Sequence, residues 1–157
     1  MDFSRLRAGE LVAGIAGLLL VVVLFFTWYT VKGTGASADA WEAFGFIDIV
    51  LLAAGIAGVA LALLTASQRT VAVPVAMTVL TAALGLLATL LVIYRVINPP
   101  GPNEIVDVSA GAYLGLLCAA GVTAGGFIAM RDDGPGFGGA TGPDVPARPA
   151  PPRGQSR

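Results

Sequence analysis

The chain has 157 residues, of which 56% are hydrophobic and 12% charged, with nine Lys+Arg against ten Asp+Glu and a net charge of −1. A soluble domain carries about 25% charge, so this composition, with a mean hydropathy of +0.83, reads as membrane segments. The charge balance leaves no electrostatic footprint for nucleic acid, the lack of His removes imidazole base and ligand chemistry, and a single cysteine, Cys118, makes neither an internal disulfide nor a CxxC metal site.

Residues 1–10 carry Arg5 and Arg7 and read as a cytoplasmic N-terminus. An uncharged run over 11–31 follows. A crossing needs about 20 apolar residues, so this run predicts a first transmembrane helix. It exceeds the roughly 7–15 residues of a signal-peptide core. Ala36-Ser37-Ala38 resembles a cleavage site but stands too far downstream. Residues 32–43 form an outer loop, running into AWEAF at 40–44. The second span covers 44–66 and a tight cytoplasmic hairpin covers 67–70. The third span covers 71–96, with Pro74 in its first turn, where a missing N–H is harmless. Residues 97–109 form a second outer loop, where Pro99, Pro100 and Pro102 stop the helix. The fourth span covers 110–130. The tail, 131–157, is rich in Gly, Pro and Arg and predicts disorder. Its PxxP strings, from Pro146 and Pro149, match a polyproline docking pattern.

Backbone polar groups stay paired in lipid only within helices or closed barrels. The fold class is therefore an all-α membrane protein, a four-helix transmembrane bundle. Cytoplasmic loops carry excess Lys and Arg. Placing both termini inside puts Arg5, Arg7, Arg69, Arg131, Arg148, Arg153 and Arg157 in the cytoplasm, and Lys32 and Arg95 outside. Trp28, Tyr29, Trp41, Tyr94 and Tyr113 then gather at the outer end, either as an interfacial belt or as a packed cap. Tyr29 to Lys32 and Ile105 to Val108 have β-branched character suited to a two-strand pairing.

Small residues mark where membrane helices approach closely. The fourth span has Gly111-x-x-x-Gly115 and Gly121-x-x-x-Gly125; the first has Ala13-x-x-x-Gly17 and the second Ala54-x-x-x-Gly58. Thr78, Thr81, Gly85 and Thr89 share one face of the third span. They read as interior packing, with a polar translocation path as the alternative. Leu80, Leu84, Leu87 and Leu91 line the opposite, lipid-suited face. The glycine motifs read as packing within the bundle, with homodimerisation as the alternative.

Asp48 is the most informative polar residue. It stands in FGFIDIVLL, at the outer end of the second span. A carboxylate at mid-bilayer costs about 2.5–3.5 kcal/mol on insertion scales, and less near an interface. Three readings compete. It faces interfacial water at a helix N-terminus, it pairs with Arg95 at the same level, or it binds a proton or cation for transport. Catalysis fails on inventory, because a Ser or Cys nucleophile lacks a His base. The outer carboxylates Glu42, Asp48, Glu104 and Asp107 match no calcium-loop spacing. No resident cofactor or metal is expected.

The strings FFTWY (25–29), AWEAFGFIDI (40–49), YRVINPPG (94–101), GAYLGLLCAAG (111–121) and GGFIAMRDD (125–133) together resemble a group of small four-span membrane proteins of high-GC Gram-positive bacteria. The resemblance covers about residues 5–133. It implies the four-span topology and a bacterial cell membrane. It carries no activity and no catalytic residues, since none is established for the group. The expected function is a non-enzymatic accessory or scaffold subunit, in contact with the lipid bilayer and with an envelope protein or a second copy of itself. The alternative is a small oligomeric transporter or channel with Asp48 as its coupling site. Small four-span drug exporters carry a carboxylate in the first helix, and residues 11–31 have none.

Overall fold

The computed structural model describes residues 7–67, 72–101 and 104–133. Helix α1 (Ala8–Val23) opens on a capping arrangement: the Glu10 carboxylate accepts the Arg7 N–H at 2.7 Å. This satisfies one of the orphan donors at a helix start. Leu24 continues the helical bonding to Leu20, and then Phe25 and Phe26 bond back to Val22 and Val23. These tighter i−3 bonds close the last turn.

The expected helix over 11–31 therefore stops at Val23. Residues Thr27–Val31 form strand β1 instead. TWYTV is aromatic and β-branched, which suits a pleated surface. Its backbone also finds partners on both sides, so no helix is needed to satisfy it. Charges marked the ends of the uncharged run but not the point within it where helix gives way to strand.

Strand β2 (Ser37–Asp39) and strand β3 (Val106–Val108) flank β1 in a three-stranded antiparallel sheet ordered β2-β1-β3. Tyr29 pairs with Val108, Thr30 with Asp107 and Val31 with Val106. The Lys32 N–H extends this ladder to the Ile105 carbonyl at 2.8 Å. The β1–β3 pairing matches the segments read as strands. β2 was not foreseen, because its small residues carry no strand pattern. The chain is still mostly helical, consistent with an all-α membrane protein, and the sheet is a small addition of three short strands. Gly33 and Gly35, at φ 85° and 69°, turn the chain between β1 and β2, a left-handed backbone that glycine adopts without penalty.

Short helix α2 (Ala40–Ala43) leads into α3 (Phe46–Ser67). α4 (Ala72–Ile97) and α5 (Ala110–Asp133) complete the chain. α5 runs past the expected end at 130. The hairpin beyond Ser67, residues 1–6 and the tail beyond 133 lie outside the described residues. α1 packs on α3 and α5, and α4 packs on the same two helices, so the four long helices stand at the corners of a square. Leu20, Leu51, Val92 and Val122 fill its centre with Ala54, Ala88 and Ala119. A second cluster, Ala13, Leu61 and Ala129, closes the end away from the sheet.

Three helices, Phe46–Ser67, Ala76–Ile97 and Ala110–Asp132, are long and apolar enough to cross a membrane. α1, with 16 residues, is shorter, about 24 Å at 1.5 Å per residue.

Candidate functional site

The polar and aromatic residues gather where the sheet meets the bundle. Trp28 is fully buried, and its indole N–H donates to the Val23 carbonyl at 2.8 Å. The Val23 carbonyl at the end of α1 thus takes a second bond beside that from the Phe26 N–H. The Phe44 ring meets Trp28 edge-on at 5.4 Å and Tyr29 edge-on at 5.6 Å. The Arg95 guanidinium lies 5.2 Å over the Phe44 ring, a cation–π contact. The Tyr29 hydroxyl donates to the Arg95 carbonyl at 3.1 Å. Burial pushes the Tyr29 hydroxyl up to about 12, with the Arg95 charge pulling the other way. Trp28, Phe44, Tyr29 and Arg95 thereby tie β1, the exit of α2 and the end of α4 into one unit.

Trp28 and Tyr29 are thus core residues and not part of an interfacial belt. Trp41, Tyr94 and Tyr113 do lie at the surface, as do Phe25, Phe26 and Phe46. Phe25 and Trp41 are 6.0 Å apart.

Asp48 stands in the first turn of α3 and is 2% exposed, so it does not face interfacial water. Its Oδ1 has no hydrogen-bond partner, and neither has the buried Nε of Arg95. The two side chains are within electrostatic reach but form no direct ion pair. An exposed ion pair at this end joins Lys32 to Asp107 at 3.1 Å.

The threonine face of α4 lies deeper. Thr78 and Thr81 are fully buried, and the Thr81 hydroxyl donates to the Ala57 carbonyl at 3.3 Å. Ala57 is nine residues beyond Asp48, about 14 Å along a helix. Thr89 donates to the Gly85 carbonyl at 2.8 Å, and its hydroxyl lies 3.0 Å from that of Thr123. A Cβ on Gly85 would stand 2.8 Å from the Thr123 nitrogen. The face is therefore a seam between helices, shared with α3 at Thr81 and with α5 at Gly85 and Thr89. Of the opposite leucines, Leu80 and Leu87 face outward, while Leu84 packs on the core and Leu91 is half-buried.

The four glycines of the two α5 motifs divide between two partners, β1 and α1, while Gly126 faces Ala82 of α4. A Cβ on Gly111 would stand 2.4 Å from the Thr27 carbonyl oxygen, and on Gly115 the same distance from the Trp28 ring. Gly121 faces Ala16, and Gly125 faces the α1 backbone at Ala13 and Gly9. All four glycines are occupied within the chain. Thr123 escaped the sequence reading, although its place among small residues, GVTAGG, was the available signal.

Among the described residues no group of three His, Cys, Asp or Glu side chains is placed to hold a metal. Cys118 is buried. No protein-family model, curated protein or solved structure matches the chain.

Proposed function

We propose that this chain is a four-span bacterial cell-membrane protein with both termini cytoplasmic, acting as a non-enzymatic accessory or scaffold subunit whose outer cap engages another envelope protein. α1 and the turn after it serve as a short first crossing, and α3, α4 and α5 as the other three. The resemblance to small four-span proteins of high-GC Gram-positive bacteria accords with this topology.

The observation that carries the reading is the sheet cap itself. Two outer segments too short for a core of their own are held as one surface by β-pairing and by the Trp28–Phe44–Tyr29–Arg95 unit. A shaped, rigid surface presented by an apolar bundle suits recognition. The bundle centre is closed by Leu20, Leu51, Val92 and Val122, which favours a structural role over conduction through one chain. The depth of Asp48 points the same way: it sits beneath the cap beside Arg95, about three helical turns from the buried threonines.

The test is gentle extraction of the C-terminally tagged chain from its native membrane, followed by identification of what co-purifies. A stoichiometric envelope protein supports the reading. A clean homo-oligomer, with ion or drug flux in liposomes that Asp48→Asn abolishes, overturns it in favour of transport.

A further inference from the structure

A cavity of about 270 Å³ opens on the cap between the sheet, α2 and the chain leaving α4. Tyr29 and Val31 of β1, Val106 of β3, Ala43 and Pro100 line it, and Glu42 is the charged residue in that lining. Pockets for whole small molecules run to about 300–1,000 Å³. This one lies just below that range and suits a single long side chain.

Its charge environment is one-sided. The described cap carries Asp39, Glu42, Glu104 and Asp107 against Lys32 and Arg95. Lys32 is engaged by Asp107, and Arg95 lies over Phe44. Asp39 caps α2, accepting the Glu42 N–H at 2.9 Å. The return contact, from the Asp39 N–H to Glu42 Oε2, is 3.4 Å, so the Glu42 charge is only loosely committed to its own helix. β2, whose Ser37 and Ala38 also line the cavity, is an edge strand. An extended segment arriving there finds a sheet edge open to pairing.

We infer that this cavity receives one arginine or lysine side chain from an extended segment of a partner protein. The aliphatic stem packs on Val31, Val106 and Pro100, and the cation meets Glu42, as amphipathic side chains divide between apolar wall and polar rim. This rests on the proposed role of the cap as a partner surface and names the chemistry of that partner.

The full chain in nanodiscs, with labelled valine methyls, is titrated with acetyl-Val-Arg-Val-amide, acetyl-Val-Glu-Val-amide and choline chloride. The Arg peptide shifts the Val31 and Val106 methyl signals saturably and the Glu peptide does not. Glu42→Gln, which keeps the capping geometry, weakens the Arg peptide about two- to fivefold, the effect of one exposed charge pair. Ala36→Trp, which fills the cavity from its rim, abolishes the response. Equal shifts from both peptides, or an unchanged affinity in Glu42→Gln, overturn the inference. So does a saturable choline response equal to that of the Arg peptide, which would make the cavity a small-cation or lipid-headgroup site. A partner that co-purifies undiminished with both variants, beside a flat titration, removes this inference and leaves the scaffold reading standing. An Arg-selective titration with no co-purifying partner does the reverse.

Discussion

The Trp28 indole lies so close over Gly115 that a Cβ there would stand 2.4 Å from its ring. Trp28 is a rigid, fully buried side chain, pinned by its N–H bond to Val23, and has nowhere to move. Gly115→Ala therefore lowers stability by about 1–3 kcal/mol through overpacking, and Gly115→Leu by more. Trp28→Ala costs about 3–5 kcal/mol by leaving a cavity. Thermal unfolding in detergent reads both. Wild-type melting of Gly115→Leu would mean that the indole does not occupy this place.

Asp48 offers a second check. Its Oδ1 is buried without a partner, so that oxygen carries a desolvation cost that no direct bond offsets. Asp48→Asn is expected to stay within about 1 kcal/mol of wild type, because it removes the charge and keeps the shape. Asp48→Ala loses more, since it empties the site. A loss of about 3–5 kcal/mol in Asp48→Asn, the cost of breaking a buried ion pair, would show that Asp48 and Arg95 act as a direct pair.

Tyr29 sets an alkaline limit. Its hydroxyl titrates at about 12 when folded and near 10 when unfolded. The unfolded chain therefore releases this proton first, and stability falls as pH rises from about 10 to about 12. Below pH 10 the contribution is fully present. Tyr29→Phe lacks that part of the fall and loses about 0.5–1.5 kcal/mol at neutral pH with the bond to Arg95. Melting curves at pH 8, 10 and 11.5 compare the two. Parallel curves would contradict the assignment.

The Thr89 and Thr123 hydroxyls, 3.0 Å apart, join α4 to α5. A double-mutant cycle with Thr89→Val and Thr123→Val is expected to give a coupling of about 0.6 kcal/mol, the usual size between membrane helices. Two hydroxyl protons serve three contacts, since each hydroxyl is also within bonding distance of a carbonyl of its own helix, Gly85 and Ala119, and this competition keeps the coupling small. A coupling of zero would place both bonds within their own helices.

Much of the helical frame was legible because lipid-suited helices are bounded by charge. Asp48, Arg69, Arg95 and Arg131 mark the ends of three long apolar runs, and α3, α4 and α5 lie along them. The first run misled for the same reason. No charge separates Val23 from Thr27, so nothing in the pattern records that the backbone leaves the helix there. The β1–β3 pairing was visible in β-branched residues. β2 was invisible, because it follows from the unpaired edge of β1 and not from its own side chains. Trp28 and Tyr29 suited an interfacial belt and a packed cap equally, because composition cannot tell an aromatic ring at a surface from one packed under a sheet. Gly111 and Gly115 stood out as small residues, but their partner, an indole from a distant strand, was beyond any local rule.

The brevity of α1 reaches beyond the fold. α1 and α4 stand at opposite corners of the square, one of 16 residues and the other of 26, about 24 Å against 39 Å of helix. If the proposed four-span topology holds, lipids around the chain meet a hydrophobic wall of unequal height. On that topology the bilayer would thin along one flank and keep its full depth on the other, or the whole bundle would lean to share the difference. Either response would lend the chain a preference for thinner patches of membrane, and a neighbour that shares this mismatch would be drawn to the same flank before any side chain recognises it.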